Sequence, residues 1–192
     1  MNSLGEFVLY WSQVHTHKMK FSDLLNQPYC ARTGIIELEP LRSILPDTPE
    51  DIIKQVYSDH GRKIEFQEQF KHIEISEIEW ELASFAAEKI VSCSIYNRFS
   101  NWFNNVKKRT ENFQKDGWKC IDSRTTVINH WASNGTWLKP PIFFVGELLG
   151  LTSELRLVEG HTRVGLLKGL LEHHVLAPGS LHQIWLGSKE NA

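Results

Sequence analysis

Three cysteines in 192 residues, Cys30, Cys93 and Cys120, stand far apart and form no Cys-x-x-Cys pair. A disulfide scaffold, a zinc knuckle and a dithiol redox centre therefore have nothing to build on. An excess of positive charge is missing too: 21 Lys and Arg against 23 Asp and Glu leave a formal charge of −2. That balance argues against a protein coated in basic residues for sequence-independent duplex binding, although a local patch for nucleic acid stays open. No apolar run approaches the roughly 18 residues of a membrane span, and the N-terminus lacks the basic and apolar regions of a secretory signal. The expectation is a cytoplasmic protein with no membrane partner. Internal repeats and low-complexity linkers are absent as well, which favours one unit with an extended N-terminal part over two independent domains. What remains is a chain with 41% hydrophobic residues, 23% charged residues and seven tryptophans. Such a chain is globular and long enough to bury an ample core.

The C-terminal part is the most legible. Val127 to Gly135 reads as a short helix stopped by Asn134-Gly135, with Asp122 or Ser123 as its N-cap. Trp137 to Val145 places Pro140 and Pro141 before Ile142-Phe143-Phe144-Val145, as expected for a strand covered on both faces. Gly146 to Gly150 forms a connection, Glu154 to Val158 returns as the neighbouring strand, and Ile184-Trp185-Leu186 reads as a final strand. Between the last two lies Glu159-Gly160-His161-Thr162-Arg163, a glycine turn that opens a helix. There the amides of Thr162, Arg163 and Val164, the positive end of the helix dipole and the Arg163 guanidinium favour a phosphate or carboxylate. The alternative is a plain strand-to-helix turn whose Arg163 pairs with a nearby acid.

Over Cys120 to Gly187 this order of elements resembles the ParB/sulfiredoxin-like superfamily. The shared features are a helix, a glycine, a proline followed by isoleucine opening a strand, a hairpin-like return, and a Gly-x-x-Arg turn with its helix. The likeness implies an α+β fold, a small mixed sheet with surrounding helices. ParB-like turns read Gly-Glu-Arg-Arg and sulfiredoxin turns Gly-Cys-His-Arg, so Gly160 and Arg163 fall on the shared glycine and arginine. His161 stands where sulfiredoxins carry their catalytic cysteine, which leaves no thiolate for sulfinic-acid reduction. Thr162 replaces the second ParB arginine, so cytidine-nucleotide specificity does not carry over. What the resemblance implies is a nucleotide or phosphate cradle, with an ATP- or CTP-class nucleotide and magnesium as its cofactor. In that cradle Gly160 admits close backbone approach, Thr162 offers hydroxyl and amide, and Arg163 makes a forked contact, with Lys168 about one turn beyond adding charge. His161 is the candidate general base, and Glu159 would orient it or help hold the divalent ion; the other reading of His161 is a neutral ring bonded to a carbonyl.

The first 120 residues carry less. Asp47 to Val56 reads as a helix with proline at its first turn. Ser76-Glu77-Ile78-Glu79 matches a capping box, followed by Trp80, Ala83, Ala87, Ile90 and Val91 at helical spacing, so a helix is expected from Ser76, continuing towards Trp102 and Phe103. His72 to Ile75 is the candidate opening strand of the domain, and Ile35 to Leu38, ended by Pro40, its rival. The first choice divides the chain into an N-terminal extension, 1–71, and a domain, 72–192, with a helical insertion over about 76–119 that serves as a lid or partner surface.

Other clusters are weaker. His15-Thr16-His17 lacks a third ligand, so no metal is assigned. Lys107-Lys108-Arg109 beside Trp102 suits either a nucleic-acid backbone or a solvated helix face, and Asp59 to Lys63 is a charged turn that the sequence cannot place in space. His173 and His174 suit a helix C-terminus. Three functions follow in order. The first is a phosphotransferase or nucleotide hydrolase, and the second a non-catalytic module in which nucleotide or DNA controls a partner protein. A ParB-like nuclease comes third, since no carboxylate cluster has metal-binding spacing.

Overall fold

Alternation along β2 (Ile142–Val145) organises the molecule, in a computed structural model that describes residues 18–189. Ile142 and Phe144 enter one buried cluster and Phe143 another, because successive side chains of a strand point to opposite faces. All three are fully buried, so β2 is covered on both sides as its apolar run predicts. Around it the sheet runs β1-β4-β2-β3, with β1 (Glu79–Ala86), β3 (Leu155–Glu159) and β4 (Leu181–Ser188). β2 pairs antiparallel with β3 and parallel with β4, and β4 pairs antiparallel with β1. The fold is α+β with a mixed sheet.

One face is covered by the N-terminal segment. Here α1 (Leu38–Ile44), α2 (Glu50–Ile52, prolonged by π-helical turns Ile53–Ser58) and α3 (Ile64–Phe70) deliver Leu41, Ile52, Val56, Tyr57 and Phe70 to a cluster that also holds Ile142, Phe144 and Val158. The other face is covered by α4 (Ala87–Val91), α5 (Ser100–Lys108), α7 (Thr125–Asn134) and α8 (His161–Glu172), with the short α6 (Phe113–Asp116) between α5 and α7. Their buried residues, among them Phe103, Trp131, Val164 and Leu167, meet Phe143, Leu157 and Ile184. The sheet is thus the middle layer of three, and the segment before residue 72 builds one of the outer two.

Several expectations hold: the helix stopped by Gly135 in the left-handed region, the β2–β3 return, the final strand and the Gly160 turn. The helix from Ser76 does not form. Residues 79–86 pair along their whole length with β4, from Glu79 opposite Ser188 to Ala86 opposite Leu181. The Ser76 hydroxyl, read as a helix cap, instead accepts a hydrogen bond from the Met19 amide at 2.9 Å. Strand pairing across the sheet outweighs weak local helix preference, and helical spacing applies only from α4 onward. The segment 76–119 is therefore not a wholly helical insertion, since it contributes an edge strand whose exposed Glu79 and Glu81 discourage edge-to-edge association.

His72 to Ile75 is not the opening strand of the sheet. It pairs locally with the segment around Lys20, Ile75 donating to the Met19 carbonyl and Phe21 to that of Ile73. Ile36 makes only an isolated bridge to Tyr29, and Pro40 lies in the first turn of α1 rather than ending a strand, where its missing N–H costs nothing. The cap of α7 is Arg124, whose amide is accepted by Asp122 two residues earlier. His15-Thr16-His17 lies outside the described residues.

His182 on β4 is 2% exposed, bonded at Nδ1 to Thr136 Oγ1 (2.8 Å) and at Nε2 to Ser180 Oγ (3.0 Å). Burial pushes its pKa down to about 4 from an ordinary 6.5. Between those values the unfolded chain takes up a proton that the folded one refuses, so stability falls as pH drops through that window. From pH 7 to pH 5 His182 is expected to remove on the order of 2 kcal/mol. Urea titrations at the two pH values check this: the loss should be visibly smaller in His182→Gln, and an unchanged slope would refute it.

Candidate functional site

Gly160 ends β3 and caps α8 with φ +101°, a conformation that L side chains rarely adopt. There is no room for a side chain either, since a Cβ would lie 2.5 Å from Pro141 Cβ. The first turn of α8, His161 to Arg163, is half-buried. Val164 N–H is the first amide to bond back, to the Gly160 carbonyl at 2.9 Å. Among the described residues the amides of His161, Thr162 and Arg163 have no acceptor, as a helix start leaves its first donors. The sequence placed this set one residue too far along, counting Val164 and omitting His161.

A second turn approaches the first. The π-helical stretch after α2 ends in the Asp59-His60-Gly61-Arg62-Lys63 turn, pressed inward at Gly61, where a Cβ would come within 2.3 Å of the Tyr57 carbonyl oxygen. His60 and Lys63 thereby reach the Gly160 turn. Together with Glu65, Phe66, Phe99, Trp102 and residues 159–163 they line a cavity of about 450 Å³. Its walls are aromatic: His60 stacks on Phe66 with ring centres 4.5 Å apart, Phe99 lies 4.6 Å from His161, and Trp102, 57% exposed, stands at the mouth.

Both imidazoles are held neutral. The pKa of His161 falls to about 4 through burial, with Arg156, His60 and Arg163 adding repulsion. Burial and then Lys63 bring His60 to about 4 against a backbone contact with Asp59. His161 Nε2 is shut off from solvent without a hydrogen-bond partner among the described residues. A base of such low pKa accepts protons poorly at neutral pH, which weakens the catalytic role expected of His161.

Arg163 takes the second of the two roles the sequence left open, pairing with a nearby acid, and Glu159 is that acid. Nη1 of Arg163 donates to the carbonyls of Lys139 (2.8 Å) and Pro140 (2.9 Å), while Nη2 donates to Gln55 Oε1 (3.1 Å) and to the Glu159 carboxylate. The guanidinium is a strut tying α8 to the entrance of β2 and to α2, not a free fork for phosphate. Glu159, neutralised by it, is available neither to orient His161 nor to hold a cation. Among the described residues no group of three or more His, Cys, Asp or Glu is arranged for a metal. The turn's donor set, dominated by amides and a paired carboxylate, does not fit a protein-held magnesium ion.

Lys168 is not at the site. Its amine stands 5.9 Å from the centre of the Phe103 ring, away from the cavity lining. Lys107 pairs with Glu172 and Arg109 donates to the Ile121 carbonyl, so two of the three basic residues near Trp102 are tied to the fold. Glu65, Phe66 and Phe99 were missed by the sequence reading because neither spacing nor composition marks them. They join the site only through the packing of α3 and of the short turn leading into α5 around the two turns.

No family model, curated protein or solved structure matches this chain. Among the described residues no helix is long and apolar enough to cross a membrane.

Proposed function

We propose that this chain is a nucleotide-binding module of ParB/sulfiredoxin-like design, holding a nucleoside phosphate between the Gly160 and Asp59–Lys63 turns. One observation carries the reading: the 450 Å³ cavity is lined by the three residues whose helix amides are unpaired, by Lys63 and by a set of aromatic residues, with Glu65 and the Arg163-paired Glu159 at its edge. Amides and amine suit the phosphate, and Phe66, Phe99 and Trp102 suit a planar base, since stacking on an aromatic side chain contributes about 1–3 kcal/mol per base. Binding without turnover is favoured over phosphotransfer or hydrolysis. His161 is a poor base at neutral pH and Glu159 is engaged by Arg163. The same lack of a carboxylate cluster speaks against a nuclease. The module would report nucleotide occupancy to a protein or nucleic-acid partner, with any magnesium arriving on the nucleotide's phosphates.

Thermal shift and calorimetry with nucleoside mono-, di- and triphosphates, with and without magnesium, test this. A ligand bound only by the folded state raises the melting temperature with its concentration. Lys63→Ala and Trp102→Ala, both changes at exposed side chains, are each expected to weaken binding about tenfold, the equivalent of 1.4 kcal/mol. Inorganic phosphate should bind more weakly than any nucleotide. If no nucleotide shifts the melting temperature, or both variants bind as the wild type does, the proposal fails.

A further inference from the structure

One charge in the nucleotide cavity is left without compensation. Two carboxylates line that cavity, Glu65 and Glu159, and Glu159 is paired with Arg163. Glu65, half-buried in the first turn of α3, has no counter-ion and no donor to its carboxylate among the described residues. The Gln69 amide that reaches it bonds the Glu65 main-chain carbonyl, at 2.7 Å, and the Arg98 guanidinium and Tyr96 hydroxyl are both taken by Glu68.

This carboxylate belongs to the aromatic part of the lining. Phe66 follows it in α3 and stacks on His60. The Tyr96 phenol is raised above its ordinary pKa first by its bond to Glu68 and in lesser part by the charge of Glu65, and the Tyr96 ring meets Phe99 edge-on at 5.9 Å. Glu65 therefore stands among the rings to which a planar base is assigned.

An ionised carboxylate can only accept hydrogen bonds, and it is best satisfied by two parallel donors. Nucleobases differ in what their pairing edges offer it. Guanine carries two adjacent donors, N1–H and the 2-amino group. Adenine sets its amino group beside the N1 acceptor and cytosine beside N3, while the single N–H of uracil lies between two carbonyls. Each of these three would turn a lone pair toward the carboxylate, which leaves guanine as the complementary edge.

We infer that the module selects guanine nucleotides, Glu65 accepting from N1–H and the 2-amino group of a base stacked on the cavity's aromatic side chains. The inference rests on the nucleotide reading and makes Glu65 its specificity-determining residue. It also gives a reason for an uncompensated acid in a site for an anion: the charge repels phosphate from the base end and so fixes the direction in which the ligand enters.

Calorimetry on the full chain with guanosine, inosine, xanthosine and adenosine monophosphates tests this. Wild type should bind the guanosine nucleotide about tenfold or more tightly than the inosine nucleotide, which lacks only the 2-amino group, and than the adenosine nucleotide. The xanthosine nucleotide, whose 2-oxygen would face Glu65, should bind weakest. Glu65→Gln preserves size and the Gln69 bond to the main chain, so the melting temperature should hold. Its amide offers one acceptor and one donor, so affinity for the guanosine nucleotide should fall about tenfold or more while that for the xanthosine nucleotide rises, an inversion that a merely structural role would not produce. Lys63→Ala should weaken all four by a common factor. Binding of none of the four would overturn the nucleotide reading and this inference together. If nucleotides bind but inosine or adenosine monophosphate matches guanosine monophosphate, or if folded Glu65→Gln keeps the wild-type ranking, the guanine assignment alone is overturned.

Discussion

Gly160→Ala is expected to lower the unfolding free energy by about 2–5 kcal/mol, of which left-handed backbone strain contributes 1–2 and overpacking the remainder. Two independent penalties meet at this residue. Its φ of +101° is unfavourable for any L side chain, and the new methyl would overlap Pro141 and press on Arg163 Nε, 3.1 Å away. Neither neighbour yields cheaply, because Pro141 is rigid and Arg163 is fixed by four hydrogen bonds. Gly150→Ala separates the two effects: it has φ +62° with nothing within 4 Å of its would-be Cβ, so it should lose only about 1–2 kcal/mol. Urea unfolding of both variants measures the difference. Equal losses would mean that Gly160 is not wedged against Pro141 and that the turn on which the nucleotide proposal depends is built otherwise.

Phe144→Ala should cost about 3–5 kcal/mol, the range for removing a large buried aromatic side chain. Its fully buried ring lies 5.5 Å from both Phe70 on α3 and Trp80 on β1, and it fills the space over Gly187 on β4. Because the strand bearing it also sends Phe143 into the opposite layer, the damage is expected to spread through the sheet. Far-ultraviolet circular dichroism and tryptophan fluorescence should therefore report one shifted transition. If the N-terminal layer melted first while the surroundings of Trp131 and Trp137 stayed native, the two faces would be separate cooperative units.

The behaviour of Arg163 shows why a motif is an incomplete description of a site. A glycine turn followed by an arginine predicts an anion-binding fork. The structure surrounds that fork with two carbonyls, an amide oxygen and a carboxylate drawn from Lys139, Pro140, Gln55 and Glu159. Only Glu159, a neighbour in sequence, could have been guessed, and the alternative of an arginine paired with a nearby acid describes it. Conversely, the Asp59–Lys63 turn was visible as a charged turn without a destination. Its place beside the Gly160 turn arises from the close approach at Gly61 and from α3 carrying Phe66 under His60.

Local chemistry written in the chain was enough to define the C-terminal half. Prolines before an apolar run, Asn-Gly after a helix and a glycine between strand and helix each restrict φ, ψ or hydrogen bonding within a few residues. Tertiary contact alone decided the fate of residues 79–86, whose helical spacing gave way to eight pairings with β4, a strand a hundred residues distant. It also decided which polar groups were satisfied and which remained open. Backbone constraints act over one turn and are legible in order, whereas burial, pairing and charge compensation depend on groups far apart in sequence that meet only when the layers close on the sheet.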